Sequence, residues 1–304
     1  MGTVALATTV PANAVAENAI IMPWRKYMGG SVAVGAIGTL LVNGILKANE
    51  DSPATGVTLE KIQDVFPGAI TNKSLVNKVM AALQKYKYSK SNTLVATSLG
   101  TDEVNRCLET EFSKAYGNFY NMGGLAGFPF GGTASFEHFV THIPDGGSCL
   151  IVFGPHVGVN GDGNVGTVER PGLVNGVPCC DAAIVAAEYA IAVHKGDVKA
   201  TKSTSERDVL DVQQGFVKDL LVPFGERLDR SPEIMVELPY VLYDAQKEMI
   251  TDIVKCNARS VKDGKIAVLG GIQINTSPGI ADYYLPLSLE LYDNTGNKVD
   301  DLML

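Results

Sequence analysis

The chain has 304 residues, 46% hydrophobic and 19% charged, which is enough for one large domain or two modest ones with a sizeable core. Its 25 Lys and Arg residues against 33 Asp and Glu residues give a formal charge of −8. An acidic chain without a long basic run binds phosphates poorly, so we exclude nucleic acids and anionic membrane surfaces as partners. The five cysteines are an odd number, which favours free thiols in a reducing compartment over a disulfide framework.

The N-terminal part of the chain differs in composition from the rest, and we predict a helical extension over residues 1–55 and a single α/β domain over residues 56–304. No Lys or Arg precedes Arg25, which fits a secretory signal poorly, and we expect a plastid transit peptide to be absent from this chain. Gly29 to Leu46 is apolar but Gly-rich and barely of spanning length. We interpret it as a buried or partner-facing helix, the alternative being a weak membrane segment.

Strand and helix patterns alternate along the remaining chain. Continuous apolar runs predict buried strands over Asn92–Leu99, Ser148–Phe153 and Lys265–Asn275, with further strand-like pieces over Val165–Val168, Ile234–Leu238 and Tyr283–Tyr292. Helical spacing predicts helices over Thr58–Val65, Asn72–Tyr86, Glu103–Tyr116, Phe136–Thr141, 205–221 and Pro239–Cys256, and one from Cys179 to about His194. This alternation predicts an α/β fold in which helices cover both faces of a mainly parallel sheet.

His156 is the first candidate for chemistry, because it directly follows the strongest predicted strand. Cys179 and Cys180 lie 23 and 24 residues later, at a predicted helix N-terminus, where the helix dipole favours the thiolate. Imidazole and thiolate are ligands that zinc takes in tetrahedral sites. The alternative interpretation is a hydrogen-bonded structural histidine beside two small buried cysteines.

Asp102 is the second candidate, at the mouth of the preceding strand and four residues before Arg106. On a helix these two side chains would share a face, although an acidic residue at a helix start with an exposed ion pair is an equally simple interpretation. Phosphate-loop, dinucleotide-binding and nucleophile-elbow patterns do not occur in the sequence, so no organic cofactor is predicted.

A series of short motifs, in this order and spacing, resembles the LCIB/LCIC family of limiting-CO₂-inducible plastid proteins of algae and diatoms. The motifs are Phe66-Pro-Gly-Ala69, Asn92-Thr93, Gly100-Thr-Asp-Glu103, Gly154-Pro-His156, Asp162-Gly-Asn-Val-Gly166, Arg170-Pro-Gly172 and Cys180-Asp-Ala182. The resemblance covers roughly residues 60 to 195, with a looser echo at Gly270–Asn275. It implies a β-carbonic-anhydrase-like fold, a homodimer or an oligomer with a paralogue, and zinc bound by a Cys, a His and a second Cys.

Carried onto this chain, the resemblance assigns His156 and Cys180 as zinc ligands and Asp102 and Glu103 as the acidic pair beside the metal. The arginine that pairs with the aspartate is Arg106 or Arg170, with a slight preference for Arg106. His142 matches a family histidine that would shuttle protons.

One position departs from the family pattern, because the first cysteine ligand falls at Gly100. Three outcomes are possible: Asp102 ligates zinc in place of the cysteine, the metal is weakly held or lost, or the alignment of this turn with the family is off. Cys107 lies two helical turns further on and is a poor substitute for the missing ligand.

Three hypotheses about function follow. The first is a zinc carbonic anhydrase that interconverts CO₂ and bicarbonate in an algal CO₂-concentrating mechanism, in the chloroplast stroma or at the pyrenoid periphery. The second is a catalytically impaired member that acts through homo- or hetero-oligomers. The third is an unrelated α/β enzyme in which His156 is structural.

Overall fold

The computed structural model describes residue 54 and residues 56–173, 175–202 and 210–302, which all belong to one unit. The predicted N-terminal extension, including Gly29–Leu46, lies outside the described residues except for Ala54. Its boundary with the following domain therefore stays a prediction. Among the described helices, none is long and apolar enough to cross a bilayer.

The described residues form eight α-helices and ten strands. The helices are α1 Gly56–Val65, α2 Asn72–Gln84, α3 Arg106–Tyr116, α4 Gly132–Val140, α5 Asp181–Lys195, α6 Val212–Leu221, α7 Gly225–Arg230 and α8 Ile234–Asn257. The strands are β1 Ile70–Thr71, β2 Thr93–Ser98, β3 Phe119–Asn121, β4 Ser148–Phe153, β5 His156–Gly158, β6 Thr167–Val168, β7 Val177–Pro178, β8 Ile266–Asn275, β9 Tyr283–Tyr292 and β10 Lys298–Asp301.

One sheet organises the fold, with the strand order β1-β9-β8-β4-β2-β3. Strands β3, β2, β4 and β8 run parallel, and β5 pairs in parallel with the end of β8. The remaining strands, β9, β1 and β10, are added antiparallel. The predicted α/β class with a mainly parallel sheet is therefore confirmed.

Strand β4 explains why the sheet needs helices on both faces. Its residues alternate between two cores: Leu150 and Val152 pack on the side of α2 and α3, whereas Ile151 and Phe153 pack on the side of α4 and α8. All four side chains are at most 1% exposed. Each such side chain contributes about 1.5–3 kcal/mol when it is buried, so an uninterrupted apolar run is stable only as a central strand.

The sheet register brings the candidate residues to one edge. Ser98 at the end of β2 pairs with Phe153 at the end of β4, and Phe153 pairs with Gly270 of β8. Parallel strands in register end together, so the segments that follow them share the carboxyl edge of the sheet. This edge carries the loop with Asp102, the start of β5 at His156 and the end of β8 at Asn275.

The prediction of a strand over Ile234–Leu238 is wrong, because these residues form the first turns of α8. Helix α8 continues through Pro239, which the sequence analysis had placed near a helix start. Its buried residues Leu238, Val241 and Leu242 pack against the α5 core at helical spacing. This tertiary packing overrides the local strand propensity of a short apolar run.

Candidate metal centre

Two loops that follow parallel strands position the acidic and imidazole groups. Asp102 has extended backbone angles (φ −55°, ψ 139°) just before a 3₁₀ turn over Glu103–Asn105, which leads into α3. His156 begins β5, opposite Gln273 of β8, and its ring is buried. His156 is thus fixed by strand pairing, and Asp102 by the turn in which its carbonyl accepts from the backbone N–H of Asn105.

The His156 ring contacts an oxygen on each side. Its Nδ1 lies 3.0 Å from Oδ1 of Asn275, and its Nε2 lies 3.4 Å from Oδ2 of Asp102. Burial lowers the pKa of His156, and this effect outweighs the opposing charge of Asp102 and the hydrogen bond with Asn275. The ring is therefore neutral near neutral pH.

Arg170 is the arginine that reaches the acidic pair. Its Nη2 lies 3.3 Å from Oδ2 of Asp102, its Nε donates to Oε1 of Glu103 at 2.6 Å, and its Nη1 donates to the carbonyl of Pro178 at 3.2 Å. The hydrogen bond from Arg170 lowers the pKa of Glu103. Three contacts hold the guanidinium in one orientation beside Asp102.

The preference for Arg106 as the partner of Asp102 is corrected by this geometry. Nη1 of Arg106 lies 2.5 Å from Oε2 of Glu109, and its Nη2 donates to the carbonyl of Gly100. Asp102 lies outside the helix, so it does not share a helical face with Arg106 as the four-residue spacing had indicated.

Cys179, the first of the two adjacent cysteines, contacts the His156 ring. Its Sγ lies 3.3 Å from Nδ1 of His156 and 3.8 Å from Oδ1 of Asn275. Cys180 directly precedes α5 in a left-handed conformation (φ 71°), and its buried thiol packs in the apolar core of that helix. Burial and the charge of Asp102 raise the pKa of both thiols, so the choice of Cys180 as the ligand rests on its family motif.

The expectation that the helix N-terminus favours a thiolate is wrong for both cysteines in the metal-free protein. Burial raises the pKa of Cys180 to about 12 and that of Cys179 well above its ordinary value. The negative charge of Asp102 acts in the same direction. Desolvation outweighs the partial positive charge of the helix end, so deprotonation here needs a nearby cation.

Position 100 faces the ring nitrogen that points to Asp102. A Cβ atom added to Gly100 would lie 3.3 Å from Nε2 of His156 and 2.8 Å from Nδ2 of Asn105. The family alignment that puts a cysteine ligand at this position agrees with the geometry. The nearest atom to such a side chain is Nδ2 of Asn105, which donates to the carbonyl of Gly100 at 3.3 Å.

His142 and Cys107 are not brought into this cluster. His142 lies in the turn after α4, with its ring 5.9 Å from that of Tyr120. That turn leads to the amino end of β4, whereas Asp102 and His156 follow carboxyl ends of strands. Cys107 is exposed on α3 and forms a hydrogen bond with Asp282, whose pKa burial raises to about 6 despite this bond.

The side chains at this edge are of the types that bind zinc, but only His156 and Asp102 lie at the spacing expected of two ligands of one ion. Two ligand atoms of a tetrahedral zinc ion lie about 3.3 Å apart, since each is about 2.0 Å from the ion. The 3.4 Å between His156 and Asp102 matches this spacing. Within the described part of the chain, however, no group of three His, Cys, Asp or Glu side chains is drawn together tightly enough to hold a metal.

The fold and the cluster define an α/β protein with imidazole, carboxylate and thiol groups at the carboxyl edge of a mainly parallel sheet. The profile of the limiting CO₂-inducible proteins B/C, β-carbonic anhydrases, matches residues 69–293. The crystal structure of PtLCIB4, a homolog of LCIB, has a TM-score of 0.76 at 43% identity and covers 81% of this chain and 100% of its own. A point mutant of PtLCIB4 has the same TM-score at 42% identity, covering 82% of this chain and 99% of its own.

LCIB itself is more distant, with a TM-score of 0.59 at 17% identity over 78% of this chain and 96% of its own, which shows the fold alone. No curated protein gives a significant match. The chain belongs to the family of limiting CO₂-inducible proteins B and C, so the resemblance read from its motifs is confirmed and extends well beyond residue 195.

The pair of Arg106 and Glu109 generates a stability prediction. Glu109 is only 1% exposed and also accepts from Thr97 at 2.7 Å, yet burial raises its pKa despite both partners. Because the ionised form is the costly one, we expect Arg106→Met to lose about 2 kcal/mol of unfolding free energy near neutral pH, a value discounted for the partial exposure of Arg106. The loss should shrink as the pH falls and Glu109 becomes protonated in both proteins.

Urea unfolding of both proteins at several pH values measures this loss. The matched control is Arg106→Met in a Glu109→Gln background, where the buried charge is already removed. A loss of the same size in that background, or one that does not depend on pH, contradicts the assignment.

Proposed function

We propose that this chain binds zinc through Asp102, His156 and Cys180 and interconverts CO₂ and bicarbonate. The observation that carries the proposal is the ring of His156, which is buried between two oxygen acceptors. The family supports the activity, because its description names β-carbonic anhydrases.

A neutral imidazole has one N–H group, so it can donate to only one of these two acceptors. The shorter contact, to Asn275, takes the hydrogen. In the other contact the lone pair of Nε2 therefore faces a carboxylate oxygen of the half-buried Asp102, 3.4 Å away. A cation between the two atoms converts this repulsion into two ligand bonds, at a separation that zinc accepts.

The side chains around this position have distinct roles. Zinc in such a site supplies the Lewis acidity that makes hydroxide available near neutral pH. Arg170 holds Asp102 so that one carboxylate oxygen faces Nε2 of His156. Cys180 supplies the third ligand once the metal lowers the pKa of its thiol. The glycine at position 100 leaves one side of the site without a ligand.

We expect Cys180→Ser to remove zinc and any CO₂ hydration, because a hydroxyl is a poor replacement for a thiolate ligand. Zinc content is measured by metal analysis of the purified protein, and hydration by stopped flow. The adjacent Cys179→Ser is the matched control and should keep both, since Sγ of Cys179 contacts Nδ1 of His156, the nitrogen that faces Asn275. Zinc retained in Cys180→Ser, or wild-type protein that binds none when zinc is supplied, refutes the proposed site.

A second function, assembly without catalysis, is favoured by Gly100. Where the family pattern has a ligand, this chain has only backbone and the amide of Asn105. In this alternative the chain acts as a homodimer or as an oligomer with an active paralogue, and zinc is weak or absent.

Gly100→Cys discriminates the two functions. If Asp102 already completes the site, the added thiol should change CO₂ hydration less than about tenfold. If the site is impaired, activity should appear only in Gly100→Cys. Because the new Cβ would lie 2.8 Å from Asn105, the companion variant Gly100→Cys with Asn105→Ala removes the obstruction. Sedimentation of the wild type checks assembly, and a strict monomer counts against the second function.

We also propose that the protein works in the chloroplast, in the stroma or at the pyrenoid periphery, as part of a CO₂-concentrating mechanism. The support is membership of the limiting CO₂-inducible family. A fluorescent fusion of the full-length gene product, imaged at low CO₂, tests this; signal outside the plastid contradicts it.

A further inference from the structure

Asn275, at the end of β8, connects His156 to a buried carboxylate. Its side chain is almost fully buried, and it forms three hydrogen bonds to residues far away in sequence or on the following loop. Nδ2 donates to the carbonyl of Val104 at 3.0 Å and to Oδ2 of Asp282 at 3.2 Å, while Oδ1 lies 3.0 Å from Nδ1 of His156.

The two partners of Nδ2 determine which way the amide points. A backbone carbonyl can only accept. The carboxylate of Asp282 already accepts from the backbone N–H of Thr276 at 2.9 Å, and burial raises its pKa only to about 6, so it is an acceptor above that pH. A flipped amide would set its oxygen against both of them and lose two hydrogen bonds. Oδ1 of Asn275 therefore faces His156.

Both ring nitrogens face an acceptor, and the shorter contact, 3.0 Å from Nδ1 to Oδ1 of Asn275 against 3.4 Å from Nε2 to Oδ2 of Asp102, determines the tautomer of the ring. The single hydrogen of neutral imidazole is on Nδ1, where Oδ1 of Asn275 accepts it, and Nε2 carries the lone pair. Nε2 is the atom that faces Asp102 and the space at Gly100.

We propose that Asn275, oriented by Asp282, is a positioning residue that holds His156 in the Nδ1–H tautomer and directs the lone pair of Nε2 into the site. The tautomer is a property of the metal-free protein. The effect of this tautomer on zinc binding rests on the function proposed above. Hydrogen bonds from residues that are not themselves ligands orient metal-binding histidines and increase their basicity.

Cys179 is the competing explanation, since its Sγ is also 3.3 Å from Nδ1. A thiol sulfur is a weak acceptor, and Cys179 is itself a potential donor to Oδ1 of Asn275 at 3.8 Å. Removing this thiol should therefore leave the tautomer unchanged, which makes Cys179→Ala the matched control.

The test is the nitrogen NMR spectrum of the histidine rings in metal-free, full-length protein near pH 8. The chain has four histidines, so His156→Ala identifies the relevant signals. We expect the wild type and Cys179→Ala to show a protonated Nδ1 and an unprotonated Nε2. In Asn275→Leu, which keeps the shape but removes the acceptor, the tautomer ratio should move about tenfold toward Nε2–H.

Asp282→Asn serves as a second variant if Asn275→Leu does not fold, because it replaces one of the two acceptors that orient the amide and leaves the carbonyl of Val104. It should move the ratio in the same direction, but by less. An Nε2–H tautomer in the wild type, or a ratio that stays unchanged in the folded variants, overturns the inference.

A chelator competition with zinc separates this inference from the proposed function. We expect Asn275→Leu to bind zinc about 10–100-fold more weakly than wild type and Cys179→Ala to stay close to it. Wild-type protein that binds no zinc refutes the proposed function, and the tautomer measurement then decides the inference alone. Zinc affinity that is unchanged in Asn275→Leu overturns the positioning role and leaves the proposed function standing.

Discussion

The structure depends on the parallel pairing of β2, β4 and β8 in register. Ser98, Phe153 and Gly270 lie side by side across three strands, so the chain segments after them emerge at the same edge. Backbone hydrogen bonds and two apolar cores fix this register, because a slip of one residue would turn every side chain of β4 to the opposite face. A site assembled from segments more than a hundred residues apart thus inherits the rigidity of the sheet.

Burial and charge at this edge work against each other. The sheet removes His156, Cys179 and Cys180 from water, which keeps all three groups neutral, yet it places them around the carboxylate of Asp102. Arg170 balances part of that negative charge from the more exposed side. The edge of the sheet therefore combines uncharged imidazole and thiol groups with the ion pair of Asp102 and Arg170. Gly100 contributes no side chain to this edge.

The fold is predictable from the sequence because buried strands and helices have characteristic patterns of apolar residues. The predicted bounds of β4 and β9 agree with the structure. Local sequence patterns gave wrong predictions where tertiary contacts determine the structure. Residues 234–238 belong to α8 and do not form a strand. Asp102 pairs with Arg170, 68 residues later, and not with Arg106. The position of His156 after the strongest strand was informative. Asn275 was missed as a site residue, because a polar residue at the end of a strand has no pattern that distinguishes it, and its partners are set by topology alone.

Cys180 has a positive φ of 71°, a conformation that glycine adopts freely and that costs other L-residues about 1–2 kcal/mol. A glycine at this position, in the turn between β7 and α5, would relieve the strain and keep the backbone hydrogen bonds that start the helix at Ala183 and Ile184. It would also remove a thiol that packs in the apolar core of α5. Relief of backbone strain and retention of a buried side chain therefore oppose each other at this turn.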